Sequence, residues 1–140
     1  MTIINDREFS LILPKWDNDQ HRINPRIIKE FADEMSEHFG GVTIKPTVLG
    51  CWVNKQDKLQ CEENLVLSSF RDSESTQNFN EQIRRDEQFM SELSKNAGIK
   101  LGQDSVVFSE NINEVTFEDG KFKPALPKRY RGIDFFEKLI

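Results

Sequence analysis

Apolar residues alternate with polar ones in some stretches of this chain and recur every three to four residues in others. The switch between the two periods predicts six elements. Phe9, Leu11 and Leu13 alternate with Glu8, Ser10 and Ile12, which predicts a strand closed by Pro14. A long polar loop, Lys15 to Ile23, follows. Asn24 suits a helix N-cap and Pro25 the first helical position, and Ile27, Ile28, Phe31, Met35 and Phe39 then recur at helical spacing. Gly40-Gly41 ends that helix, the first glycine suiting a left-handed residue just past the last turn. Val42 to Val53 and Leu59 to Phe70 are extended and β-branched, and the polar pentad Asn54-Lys55-Gln56-Asp57-Lys58 between them predicts a hairpin. Ser73 to Thr76 reads as a turn. Phe79, Ile83, Met90 and Leu93, widened by Phe89, form a second helical stripe that runs out at Asn96-Ala97-Gly98. Ser105 to Phe108 predicts a strand, Glu114 to Phe117 a shorter one, and Ile133 to Ile140 a short amphipathic helix.

The hairpin has a readable register. A pivot at Gln56 puts Leu49, Cys51 and Val53 on one face with Leu59, Cys61, Leu65 and Leu67. The other face then carries Ile44, Val48 and Trp52 with Gln60, Glu62, Asn64, Val66 and Ser68. A two-residue turn would shift the pairing by one and mix the sets, and no Asn-Gly or Asp-Gly favours it. An odd loop of three or five residues is therefore expected. The nearly all-apolar face should meet the helices, with Glu63 its one discordant position.

Strand, helix, strand, strand, helix, strand is the order of the α+β ferredoxin-like βαββαβ fold, a four-stranded antiparallel sheet with two helices on one face. That domain is expected over residues 1–120, and a basic linker with the short terminal helix over 121–140.

The composition adds bounds. At 140 residues, 36% hydrophobic and 31% charged, the chain fits one polar but globular domain, and eleven Phe and two Trp demand a core. The net charge of −5 speaks against a general nucleic-acid binder. RNA-recognition modules share the topology, but their aromatic-glycine signature is missing here. Charge is also uneven. Lys121, Lys123, Lys128, Arg129 and Arg131 cluster within eleven residues that hold no acid, leaving 14 basic against 24 acidic residues elsewhere. This tail either lies on the acidic body or meets an anionic partner. No apolar run approaches the length of a transmembrane segment, and the N-terminus lacks the apolar stretch of a signal peptide. A cytoplasmic protein with reduced thiols is the resulting expectation.

Two stretches resemble a family of small uncharacterised bacterial proteins. One is Gly40-Gly41-Val42-Thr43 running to Gly50-Cys51-Trp52, then a turn, then Glu62 or Glu63; the other is Gly102-Gln103-Asp104-Ser105-Val106-Val107. The resemblance covers residues 8–117. It implies a ferredoxin-like core and no established activity. The long polar loop after the first strand and the basic tail depart from the family's pattern.

Candidate chemistry is sparse. Cys51 and Cys61 face each other in the expected register, so they are core, a disulfide or a metal pair. His21 and His38 are remote and no CxxC exists, and as core the cysteines need no partner, since free Cys packs as a small hydrophobe. Asp17, Asp19 and His21 alternate like the start of a calcium loop, but Arg22 replaces its turn glycine and Ile28 its bidentate Glu, so a surface loop is expected. Gln103 and Ser105 could orient a ligand at a sheet edge, or Gly102, Asp104 and Ser105 could simply make a turn.

Trp52, Gln60, Glu62 and Asn64 converge on the mixed face, where an aromatic plane beside a carboxylate and amides suits a small polar ligand or a second subunit. Glu62 is the general-base candidate, and Glu63 the alternative if burial raises its pKa. No cofactor or metal is called for. The expected function is a binding or interaction module, homodimeric through its sheet face. The alternative is a small cofactorless enzyme of the dimeric α+β barrel type. A sealed sheet face would fit the first, and a concave pocket holding Glu62 or Glu63 the second.

Overall fold

The computed structural model describes residues 2–103 and 106–117. Strand β1 (Thr2–Pro14) leads through a polar loop to helix α1 (Pro25–Phe39). The hairpin β2 (Thr43–Val53) and β3 (Leu59–Arg71) follows, then helix α2 (Phe79–Leu101) and β4 (Val107–Phe117). The antiparallel sheet has the order β2-β3-β1-β4. Each strand–helix–strand unit is thus split by a strand of the other unit, which is the ferredoxin-like arrangement.

Helix α1 starts and stops where its sequence says. The Asn24 side chain accepts a hydrogen bond from the Arg26 amide at 3.0 Å, and Gly40 takes the left-handed conformation (φ 91°). One face of the sheet packs on the helices. Phe9, Leu11 and Leu13 of β1 and Leu65 and Leu67 of β3 meet Ile28, Phe31 and Met35 of α1 and Met90, Leu93 and Ala97 of α2, all buried. Truncating Leu11 or Leu67 to alanine here should cost about 2–5 kcal/mol.

Two helix and strand boundaries differ from expectation. Helix α2 runs on through Leu101, and its left-handed cap is Gly102 rather than Gly98. Gly98 is buried within the helix, 3.4 Å (measured from an added Cβ) from the Gln103 carbonyl, so it permits close approach rather than a stop. The two short strands expected after α2 are one strand, because β4 pairs with β1 without a break from Val107 to Phe117.

The hairpin pairs Cys51 with Cys61 and Trp52 with Gln60, as a Gln56 pivot requires, around a five-residue loop. Asn54 ties that loop, its side-chain oxygen accepting from the amides of Gln56 and Lys58. Ile44 is a correction. A bulge between Lys45 and Val48 shifts the register by one, so Ile44 pairs with Leu67 and packs against the core instead of sharing a face with Val48 and Trp52.

The cysteines are a second correction. They are exposed, and their sulfurs are bonded at 2.03 Å. β1 ends at Pro14, opposite Asn64, so the hairpin beyond that point projects as a two-stranded ribbon. Leu49, Val53 and Leu59, 65–71% exposed, share the side expected to meet the helices. The apolar pattern marked a face correctly, but the helices cover it only at the Leu65 and Leu67 end. The premise of reduced thiols therefore does not hold in this structure. No described helix is long and apolar enough to cross a membrane.

Candidate functional site

Where β1 stops, the next backbone turns into a loop that doubles back on itself. Lys15 still donates its amide to the Glu63 carbonyl, and Ile23 returns to bond the Lys15 carbonyl. Between them Trp16 bridges to Arg22, whose guanidinium stacks 5.3 Å from the indole centroid. Asp17 stitches the loop, its Oδ1 accepting from the amides of Asp19 and His21 at 2.9 and 2.8 Å. The carboxylates of Asp17 and Asp19 and the His21 ring offer ligand atoms within 4.8 Å of one another. The hydrogen bonds to Asp17 account for that closeness as loop construction. Asn18 anchors the loop to α2 by donating to the Gly102 carbonyl, and Gln103 donates to the Leu101 carbonyl.

Loop and projecting ribbon enclose a cleft of about 580 Å³. It lies along the edge of β3 that β1 leaves unpaired, which is why residues from both faces of β3 reach it. Gln60, Cys61, Glu62 and Glu63 form one wall with Trp52, and Trp16, Asp17, Asn18 and Gln20 the other, with Pro14 and Gln103 between. Trp16 and Trp52 are 45% and 43% exposed, so both indoles are partly open to a bound molecule. Three carboxylates and four side-chain amides line the cleft, and none of its described lining residues is basic.

Of the residues singled out in the sequence, Trp52, Gln60, Glu62, Glu63 and Gln103 meet here. Asn64 does not. It is buried in β3 beside β2, its amide 3.1 Å from where a side chain on Gly50 would begin. Glu63 is exposed on the ribbon, so the burial invoked for it is missing. Ser105, the tail residues Lys121, Lys123, Lys128, Arg129 and Arg131, and the helix expected over Ile133 to Ile140 lie outside the described residues. Trp16, Asn18 and Gln20 were not singled out as site residues. Their signal was a lone tryptophan in an otherwise polar loop, which Asp17, Asp19 and His21 drew toward metal chemistry instead.

Lys15, between two cleft residues, is itself buried and donates to the Thr47 hydroxyl. Burial and the charge of Arg22 hold its pKa below the usual lysine value, while Glu63 pulls it upward.

A second polar cluster occupies the opposite end of the helical layer. Asp86 of α2 is wholly buried and accepts from His38 Nε2 at 2.8 Å, from Gln82 at 2.9 Å and from two nitrogens of Arg71 at 2.9 Å. The His38 ring lies flat on Phe89, centroids 3.9 Å apart. Burial pushes the Asp86 pKa up, but the hydrogen bonds from Arg71, Gln82 and His38 outweigh it and hold the carboxyl below its usual value.

Neither a family model nor a curated protein matches this chain. Among solved structures it is similar to a phage SAM lyase in complex with S-methyl-5'-thioadenosine. The identity is 12% and the TM-score 0.48, over 83% of this chain and 93% of that one. It is likewise similar to a phage SAM lyase in the apo state, at 12% identity and a TM-score of 0.45, over 84% and 94% of the two chains. Similarity at this level carries no argument about the cleft.

Proposed function

We propose that this chain binds a small, flat, cationic or neutral polar molecule in the cleft between Trp16 and Trp52. The observation that carries this reading is the lining itself: the half-open Trp52 indole, and Trp16 with one face taken by Arg22, beside Asp17, Glu62 and Glu63 with no basic residue among the described lining. Indole faces attract cations, and carboxylates at the rim add to that attraction while repelling anions. The four amides supply both donors and acceptors, which orient a polar ligand rather than neutralise it.

The test uses a matched pair of probes. Benzamidine and benzoate share a ring and differ in the sign of their charge. Indole fluorescence titrations should show benzamidine binding at least about fivefold more tightly, as expected for roughly 1 kcal/mol of charge preference. Equal affinities, or a preference for benzoate, would remove the proposal.

An enzyme acting in the same cleft is the second reading, with Glu62 or Glu63 as general base. The cleft volume and both carboxylates favour it over a sealed sheet face. Cys61 is held in the disulfide and Asp17 accepts from two loop amides, so no described lining residue stands ready as a nucleophile, and binding is the reading put forward. A dimer through the open sheet face belongs to the same proposal. Phe70 and Val107 are exposed on that face, where an aromatic and a β-branched side chain would suit a subunit contact. Sedimentation of the full chain should give a dimer mass, and a monomer at all concentrations would discard that part. The likeness of the glycine-tryptophan and glycine-glutamine motifs to a family of small uncharacterised bacterial proteins stands on the same footing and adds no reaction.

A further inference from the structure

We infer that Cys51 and Cys61 form a reversible dithiol–disulfide site that braces one wall of the cleft and is opened by an external thiol. Three observations lead there. First, both cysteines are exposed on the projecting ribbon, outside the buried core. Exposed disulfides are the ones that small and protein-borne thiols reach. Second, the ladder continues on both sides of the bond, with Leu49 opposite Glu63 and Val53 opposite Leu59. The fold of the helical layer therefore does not depend on the bond, and it can open without unfolding the chain. Third, Cys61 lines the cleft, and the chain neighbours of the two cysteines, Trp52, Gln60 and Glu62, line it too. The bond cross-links the strands that hold these groups, and without it the isolated ribbon is held by its ladder alone.

The exchange balances as follows. A thiolate attacks Sγ of Cys61, the sulfur on the cleft side, forming a mixed disulfide and releasing Cys51 as a thiolate that takes a proton from water. A second thiolate attacks the external sulfur, releasing Cys61. Two thiols become one disulfide, and the two electrons reside in the protein dithiol. Asp17, Glu62 and Glu63 flank the route of approach. The geometry thus favours a thiol carried by a cationic molecule over an anionic one. The functional consequence, control of the cleft, rests on the binding reading above; the redox site itself does not.

The experiment needs no cleft ligand. The full chain is equilibrated in buffers of reduced and oxidised glutathione, trapped by alkylation and weighed, with hydrogen exchange measured at both extremes. A reversible gain of two alkylatable thiols is expected while α1 and α2 keep their protection. Exchange in residues 49–63 should quicken at least about tenfold, as a locally opened unit does. The double variant Cys51→Ser/Cys61→Ser should reproduce that exchange pattern without any reductant. Thiols that appear only when the helices also lose protection would make the bond purely structural and overturn the inference. Thiols that appear with ribbon exchange unchanged would overturn the bracing role.

Charge selectivity gives an independent arm. Cysteamine should open the bond several-fold faster than mercaptoacetate at equal thiolate concentration, each rate referred to its rate with 2-hydroxyethyl disulfide. The ratio should approach one in 1 M salt. A ratio of one at low salt would overturn the cationic-carrier part. Benzamidine titration of both redox forms then separates the two proposals. Redox behaviour as described with no benzamidine binding in either form sinks the binding reading alone.

Discussion

The Asp86 cluster and the Trp16–Trp52 cleft are both built from carboxylates, amides and aromatic rings, yet they are opposite kinds of object. At Asp86 every polar group faces another: Arg71, Gln82 and His38 all donate to one buried carboxylate, and Phe89 covers the imidazole. The carboxylate itself is wholly buried and taken up by these donors. In the cleft the hydrogen bonds among described residues belong to the loop and its anchor, through Asp17, Asn18 and Gln103. The side chains of Gln60, Glu62 and Glu63 on the opposite wall take no part in them. A polar cluster that satisfies itself is architecture, and one whose groups point at a common space is a site.

That contrast predicts unequal effects of substitution. Asp86→Ala should cost about 2–4 kcal/mol in urea denaturation, because it leaves the half-buried Arg71 without its carboxylate. Glu62→Ala and Glu63→Ala should stay within about 0.5 kcal/mol of the parent, as exposed positions do. An Asp86→Ala loss under about 1 kcal/mol would erase the distinction.

Acid offers the next largest effect. A carboxyl held below its usual value stabilises the fold in full above the unfolded value, about 3.9, and that contribution is lost as pH falls through the folded value. The stability gap between the parent and Asp86→Asn should therefore be widest at neutral pH and close below about pH 4. Comparing the two chains cancels Asp6 and Glu110, whose carboxyls burial pushes the other way. A gap independent of pH would mean that Asp86 is not held ionised by its partners.

On the cleft side, Trp52→Ala should weaken benzamidine binding roughly threefold, with denaturation midpoints unmoved. An unchanged affinity would place the probe elsewhere. The smallest expected effect is at Lys15, at the join between sheet and loop. Its lowered pKa means that the unfolded chain holds the proton more tightly, so stability should rise with pH between the folded value and about 10.4. Lys15→Met should flatten that rise, and a parent that shows no rise would contradict it.

Most of the fold was legible in the sequence because it is written in local signals. Asn24-Pro25 and Gly40 bracket one helix, and the Gln56 pivot sets one register. Half of the site was legible by the same route, since Trp52, Gln60 and Glu62 follow from that register. What escaped was set by length rather than pattern. Alternation places Cys51, Leu49 and Leu59 on a face, but only the end of β1 at Pro14 decides that nothing covers it. The bulge at Lys45–Val48 has no period of its own, and it moved Ile44 to the core. The other wall, Trp16 to Gln20, comes from a loop whose position depends on Asn18 reaching the end of α2, a contact spanning 84 residues.

The same bulge bears on a different problem. β2 is an outer strand, and beside its ribbon stand Leu49, Val53 and Leu59, exposed and β-prone. Such an edge invites strand-by-strand stacking with other molecules. Within the bulge sits Pro46, which has no amide proton to offer a docking strand, and before it Lys45, whose charge repels its own image. The irregularity that confounded the register thus sets on this edge the residue types that discourage strand-by-strand docking.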